Sequence, residues 1–370
     1  MSTIEMGLDT FGDVTVDAAG RLLSQARVLR DVVAEAELAD RVGVDFFGVG
    51  EHHRADFAIS APEVVLAAIA GRTERIRLGT AVTVLSSDDP VRVYQRFSTL
   101  DAVSNGRAEV ILDRGSFTES FPLFGYSLDD YDRLFEEKLA IFAALRDADR
   151  TGEVVRWNGT VRPPLDGVRV FPPVERPPLR TWVGVGGSPE SVVRAARYGF
   201  PLTLAIIGGD PRRFVPYVQL YHQALAQLGW GPLPVGIHSP GHVAETDTEA
   251  REALWPAYEV MRNRIGAERG WGPTSRAEFE REIDSGSLYV GSPETVARKI
   301  AATVEALGAS RFGLKYSAGT LGHELLLRSI ELYGREVIPR VRRLLAEAPA
   351  VRADVGVAHH LIPSSLASKT

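Results

Sequence analysis

The 370-residue chain contains no cysteine, which excludes thiolate zinc sites, iron–sulfur clusters, thiol nucleophiles and structural disulfides. Lysine is almost as scarce, with four against 38 arginines, and that bias reads as genomic composition rather than as an anion-binding programme. Basic residues do not outnumber acidic ones: 42 − 48 = −6, with a pI near 5.8. No clustered basic footprint for nucleic acid therefore exists. No apolar run approaches the roughly 20 residues that span a bilayer, and Met1 to Glu5 carries neither the basic segment nor the apolar stretch of a secretory signal. The expectation is a cytoplasmic protein with a small or neutral partner, without nucleic acid or membrane.

What is present is a globular composition, 45% apolar and 24% charged, in a chain long enough for two domains of about 150 residues or for one α/β barrel with insertions. Short apolar runs alternate with segments of helical period, as in a parallel sheet covered by helices. The runs are 4–9, 45–50, 76–85, 107–113, 181–185, 202–207, 235–243 and 311–316. Between them, Val28, Val32, Ala36 and Ala39 share one helical face, and Leu134, Phe135, Ile141, Phe142 and Leu145 another. Pro62 and the Asp89-Pro90 pair suit helix starts. Three Pro-Pro pairs within 150–178 deny helix and central strand, so a hairpin or loop excursion is expected there. A second insertion is expected over 264–290, which is rich in Gly, Ser and charge. Eight strand-then-helix units predict a (β/α)₈ barrel, an α/β fold, over residues 1–345 as one domain, followed by a flexible, non-catalytic tail over 346–370.

In such a barrel the chemistry sits at the C-terminal strand ends. After the second run stand Glu51, His52 and His53, a carboxylate and two imidazoles suited to proton transfer or to structural hydrogen bonding. Adjacent strand residues point to opposite faces, and no further ligand cluster accompanies them, so no metal site is expected. After the fifth run, Gly184-Val185-Gly186-Gly187-Ser188-Pro189 opens a helix whose free amides can hold a phosphate. Pro189 stands where a dinucleotide fingerprint needs its third glycine, which favours a mononucleotide. A near-copy, Gly291-Ser292-Pro293, shows that plain helix capping is the competing reading. Arg114 and Gly115, after the fourth run, offer a permanently charged clamp for the same phosphate. Phe117 and Phe121 lie in an aromatic loop that either roofs an apolar substrate or packs on itself.

Together these residues resemble the bacterial luciferase-like family of flavin-dependent monooxygenases. The resemblance runs over about residues 4–344. It is carried by Gly-Val-Gly-Glu-His-His at 48–53, Arg-Ile-Arg-Leu-Gly-Thr-Ala-Val-Thr-Val-Leu at 75–85, Asp-Pro-Val-Arg at 89–92, Leu-Asp-Ala-Val-Ser-Asn-Gly-Arg at 100–107, Arg-Gly-Ser at 114–116 and Gly-Gly-Ser-Pro at 186–189.

The resemblance implies a barrel, commonly dimeric, that binds FMN at its mouth and uses the reduced flavin with O₂ to oxygenate a small, apolar organic substrate. A separate flavin reductase would supply the reduced cofactor. His52 takes the place of the family's active-site histidine, Arg114 that of its flavin-phosphate arginine, and Gly186, Gly187 and Ser188 that of its phosphate loop. Ala81 and Val82 match a non-proline cis peptide beneath the flavin ring. Phe11, His53, Phe117 and Phe121 are expected around the substrate. Asp113 departs from the pattern, since relatives carry Gly there and luciferase a Cys. Facing the flavin, its carboxylate would repel the anionic reduced form or move protons; facing away, it would bond a neighbouring arginine. Three rival readings are a deazaflavin-dependent oxidoreductase transferring hydride without O₂, a non-catalytic flavin-binding barrel, and a metal hydrolase barrel.

Overall fold

A computed structural model describes residues 3–347. Its strands are β1 (Glu5–Thr10), β2 (Phe46–Val49), β3 (Arg77–Thr80), β4 (Thr83–Val84), β5 (Glu109–Asp113), β6 (Val155–Trp157), β7 (Leu165–Val168), β8 (Arg180–Val185), β9 (Leu202–Ala205), β10 (Val235–Val243), β11 (Tyr289–Gly291) and β12 (Arg311–Lys315). The parallel order β3-β2-β1-β12-β10-β9-β8-β5-β4 is that of a (β/α)₈ barrel, with β3 and β4 both from the third unit. A parallel bridge between Leu78 and Ala108, with Leu78 N–H donating to Arg107 O at 3.0 Å, closes it.

The helices follow the sequence signals. Gln25–Arg41 buries Val28, Val32, Ala36 and Ala39, and Ser24 caps its start by accepting from Arg27 N–H. Pro62–Ala70 and Pro90–Val103 each begin at their proline. Two expectations are refined. The run 76–85 is two strands, because the Ala81–Val82 peptide is cis and interrupts the ladder. The 264–290 segment is largely helical: it contains the end of the helix Asp247–Arg269 and the helix Arg276–Asp284, whose start is fixed by reciprocal Ser275–Glu278 capping. The excursion at 150–178 holds the antiparallel hairpin β6–β7. The expected tail lies outside the described residues from 348 onward.

Inside the barrel, alternate residues form layers. At the N-terminal end Arg311, only 2% exposed, pairs with Glu109 and with Glu5 (2.9 Å), and Arg180 reaches Glu5 at 2.7 Å and Glu109 at 3.3 Å. The Arg311 guanidinium lies between the rings of Phe46 (4.5 Å) and Trp182 (4.3 Å). Phe46, Ile111 and Trp182 fill the next layer. Gly7 and Gly79 make that possible: a Cβ on either would lie 2.9 Å from the Phe46 ring. This floor leaves the C-terminal end for the site.

Candidate functional site

His52 follows β2 in a loop pinned by His52 N–H donating to Ile59 O at 2.9 Å. Its Nδ1 lies 3.0 Å from Glu119 Oε1, and its ring sits against Phe57 (4.5 Å), Phe117 (4.8 Å) and Phe11 (4.9 Å). Burial alone would raise the Glu119 carboxyl; the hydrogen bond with His52, together with backbone N–H groups and the His52 charge, outweighs it and holds Glu119 below the usual carboxylate range. The imidazole is therefore oriented through one nitrogen, in an apolar cage, with the other nitrogen left to act. Glu51 is engaged elsewhere, bonding His53 Nε2 at 2.9 Å and accepting from Val84 N–H at 3.3 Å. His53 in turn meets the edge of Phe124 at 5.0 Å.

The phosphate readings separate. Ser188 and Ser292 each cap a helix, accepting from Ser191 and Thr295 N–H. At the second helix Asp247 already fills the anion position, accepting from Ser292 N–H at 2.6 Å and from the Thr295 hydroxyl at 2.9 Å. At the first, the nearby charged group is a cation: Arg114 Nη2 reaches Ser191 Oγ at 3.3 Å, and Ser191 Oγ pairs with Ser188 Oγ at 2.9 Å. A guanidinium beside the positive end of a helix dipole is a combination that an anion satisfies. Arg114 also holds Asp132, a largely exposed partner, at 2.6 Å. Gly187 takes a positive φ of 100°, and Gly186 faces open space. Gly115 carries its carbonyl to the Tyr131 hydroxyl at 2.6 Å. Arg114, Ser188 and the two glycines thus fit a phosphate ester at the ends of β5 and β8.

Asp113 points into the barrel, against β8: a Cβ on Gly184 would lie 3.1 Å from its carboxyl. It accepts from Arg114 N–H at 2.7 Å and makes no bond to a guanidinium among the described residues. Burial pushes its carboxyl up to about 6. The folded chain therefore binds more protons here than the unfolded chain between about pH 4 and 6, and stability is lost as pH rises through that window. Asp113→Asn is expected to stabilise the protein by up to about 2–3 kcal/mol at pH 7.5 and by nothing near pH 3.5. Urea unfolding at the two pH values checks this, and an equal effect at both would refute it.

Phe11 and Phe117 flank His52, whereas Phe121 is fully buried, stacks on Tyr131 at 5.5 Å and packs the loop. None of the expected substrate residues lines the cavity of about 540 Å³ behind Phe57, where Val14, Leu22, Val260 and Met261 provide an apolar wall. Its residues come from four separated segments, so no local pattern marks it. A further imidazole–carboxylate pair, His238 Nδ1 with Asp9 Oδ2 at 3.0 Å, joins residues 229 apart in the chain. No group of three or more potential metal ligands occurs among the described residues, and no helix there is long and apolar enough to cross a membrane.

A (β/α)₈ barrel with Arg114 beside the Ser188 helix start on one side of its mouth and a carboxylate-held histidine on the other defines the class. The chain belongs to the luciferase-like monooxygenase family, whose sequence profile matches residues 10–311. It is similar to the 4-hydroxyprotoasukamycin monooxygenase of Streptomyces nodosus subsp. asukaensis, at 28% identity over 82% of this chain and 85% of that one. Among solved structures, the monooxygenase RslO1 from Streptomyces bottropensis superposes with a TM-score of 0.79 at 25% identity, over 91% of this chain and 99% of that one. The oxygenating constituent of 3,6-diketocamphane monooxygenase from Pseudomonas putida, in complex with FMN, gives 0.72 at 20% over 92% and 99%. A secondary alcohol dehydrogenase dependent on a deazaflavin coenzyme gives 0.71 at 17% over 92% and 99%. At these last two identities the likeness is one of fold alone.

Proposed function

We propose that the protein is the oxygenase of a two-component system. It takes reduced FMN from a separate flavin reductase and uses O₂ to oxygenate a small organic substrate with an apolar body, as a cytoplasmic homodimer built on a single barrel domain. The observation that carries this reading is the pairing of Arg114 with the Ser188 helix start, where the carboxylate on Arg114 is the largely exposed Asp132, in a mouth that also holds His52. Reduced FMN, when bound, supplies the electrons that activate O₂. Arg114, Gly186, Gly187 and Ser188 would hold its phosphate, and Ala81 and Val82 would contribute to holding the flavin. His52, steadied by Glu119, holds or delivers a proton at Nε2. Phe11, Phe57 and Phe117 keep water from that nitrogen, and the cavity behind Phe57 receives the apolar part of the substrate.

Reconstitution tests the reading. The chain, FMN, NADH and a flavin reductase are expected to oxygenate an apolar organic substrate panel with incorporation of ¹⁸O from ¹⁸O₂. No retention of FMN in either redox state, or no label in any product, would sink it. The second reading, hydride transfer by a deazaflavin, needs the same anion contacts at Arg114 and Ser188: substrate-dependent reduction of a deazaflavin under argon would establish that reading instead. Arg114→Ala is expected to weaken FMN binding about 10–100-fold with little change for riboflavin, which lacks the phosphate. Parallel titrations of the two flavins check it, and equal losses for both would remove Arg114 from the phosphate site.

A further inference from the structure

Asp9 stands next to the end of β1 with its side chain turned into the barrel, 3% exposed, and its Oδ2 holds His238 Nδ1 of β10. The other oxygen, Oδ1, is buried and has no hydrogen-bond partner among the described residues. Native folds leave few buried acceptors unpaired, because each forfeits its hydration for nothing. The register neighbours of the pair carry no side chain of their own: Gly48 stands beside Asp9 on β2, and Gly313 beside His238 on β12. His238 is 16% exposed and lies nearly parallel to Phe11, 17° between planes and 6.4 Å between centroids, while His52 meets that same ring edge-on. Its Nε2 makes no bond among the described residues. With Asp9 accepting the Nδ1 proton, Nε2 presents a lone pair.

The place of this pair around the barrel decides its use. The order runs β1, β2, β3/β4, β5, β8, β9, β10, β12, so the ends of β5 and β8, with Arg114 and Ser188, face β1 and its neighbours across the mouth. A flavin anchored by its phosphate at β5 and β8 sends its ring system toward the other side. The polar edge of that ring alternates carbonyl, imide N–H and carbonyl. We propose that His238 Nε2 accepts a hydrogen bond from the imide N–H of the flavin ring, with Asp9 as the positioning residue that fixes the His238 tautomer. This rests on the flavin reading given above and assigns a contact to two residues outside its phosphate loop and its His52 centre.

The test is a set of anaerobic titrations with photoreduced FMN, riboflavin and 3-methylriboflavin, the last lacking the imide proton. His238→Ala is expected to weaken FMN and riboflavin by the same factor, about tenfold or more, and to leave 3-methylriboflavin unchanged. Asp9→Ala is expected to match that loss, whereas Asp9→Asn, which keeps an oxygen for Nδ1–H, retains most of the affinity. Each variant is compared with wild type by far-UV circular dichroism and unfolding temperature. Independently of any variant, ¹⁵N-histidine NMR of the wild-type chain is expected to show His238 as the Nδ1–H tautomer and to move its Nε2 resonance on flavin saturation. Wild-type affinity for riboflavin in His238→Ala, or an unmoved Nε2 resonance at saturation, overturns this assignment and leaves the flavin reading intact. Failure of the wild-type chain to bind any of the flavins overturns both.

Discussion

Replacing His52 by alanine is expected to cut turnover in the reconstituted FMN system by about 10²–10⁴-fold while flavin affinity stays within about threefold of wild type. The expectation rests on how completely the imidazole is held. Glu119 fixes Nδ1, and three aromatic rings within 5 Å fix the ring plane. A side chain so constrained has little orientational freedom left to lose when a reacting atom arrives, which is where positioned acid–base groups gain their advantage over solvent. Alanine removes the proton carrier and opens the cage to water at once. Steady-state kinetics together with flavin titration separate the two roles. Unchanged turnover with normal flavin binding would make His52 a packing residue and would favour the non-catalytic flavin-binding barrel.

The second large effect is on stability. Arg311→Met is expected to cost about 3–5 kcal/mol, because it leaves Glu109 ionised at the sealed end of the barrel with its bidentate partner gone. Both residues are essentially without solvent contact. Burial alone would raise the Glu109 carboxyl, and the charge and hydrogen bonds of Arg311, with the Arg180 and Arg77 charges, together override that and hold it low. Arg180 remains 3.3 Å from Glu109 but is partly exposed and shared with Glu5, so it replaces only part of the lost compensation. The double variant Arg311→Met with Glu109→Gln is expected to recover much of the loss, since neither buried charge then lacks its partner. Urea midpoints of the two single variants and the double variant check this. A loss below about 1 kcal/mol for Arg311→Met would mean that water reaches the floor.

Element order and helix starts were legible because they rest on local signals: apolar runs, prolines at first helical positions and serine caps. Three boundaries were not. The strand after Arg107 begins at Glu109 because the Arg107 guanidinium turns to the carbonyls of Ala70, Thr73 and Ile76, a contact across the chain. The run 76–85 is β-rich on both sides of the cis bond, so nothing in its composition marks the break. The Ser275–Glu278 capping pair inside 264–290 was present to be read, and the glycine and serine content around it concealed the helix. Within the site, motif neighbours such as Glu51, His52 and His53 stood out, but their partners did not. Glu119 is 67 residues from His52, and Asp9 is 229 from His238, so only the closed barrel brings each pair together. The same distance argument separates the two Gly-Ser-Pro helix starts. They look alike in sequence and differ through Asp247 and Arg114, which come from elsewhere in the chain.

On the flavin reading, the β5 and β8 strand ends together with the Asp9–His238 pair of β1 and β10 would make the mouth a bivalent receptor for a single molecule. A phosphate ester without the ring engages one arm, and a ring without the phosphate engages the other. Joined by a linker of matching length, the second contact becomes intramolecular, with an effective concentration set by that length. The diameter of the barrel therefore acts as a ruler. On that reading it would select a mononucleotide-sized ligand by its span, a selection that neither arm, probed with its own fragment, would reveal.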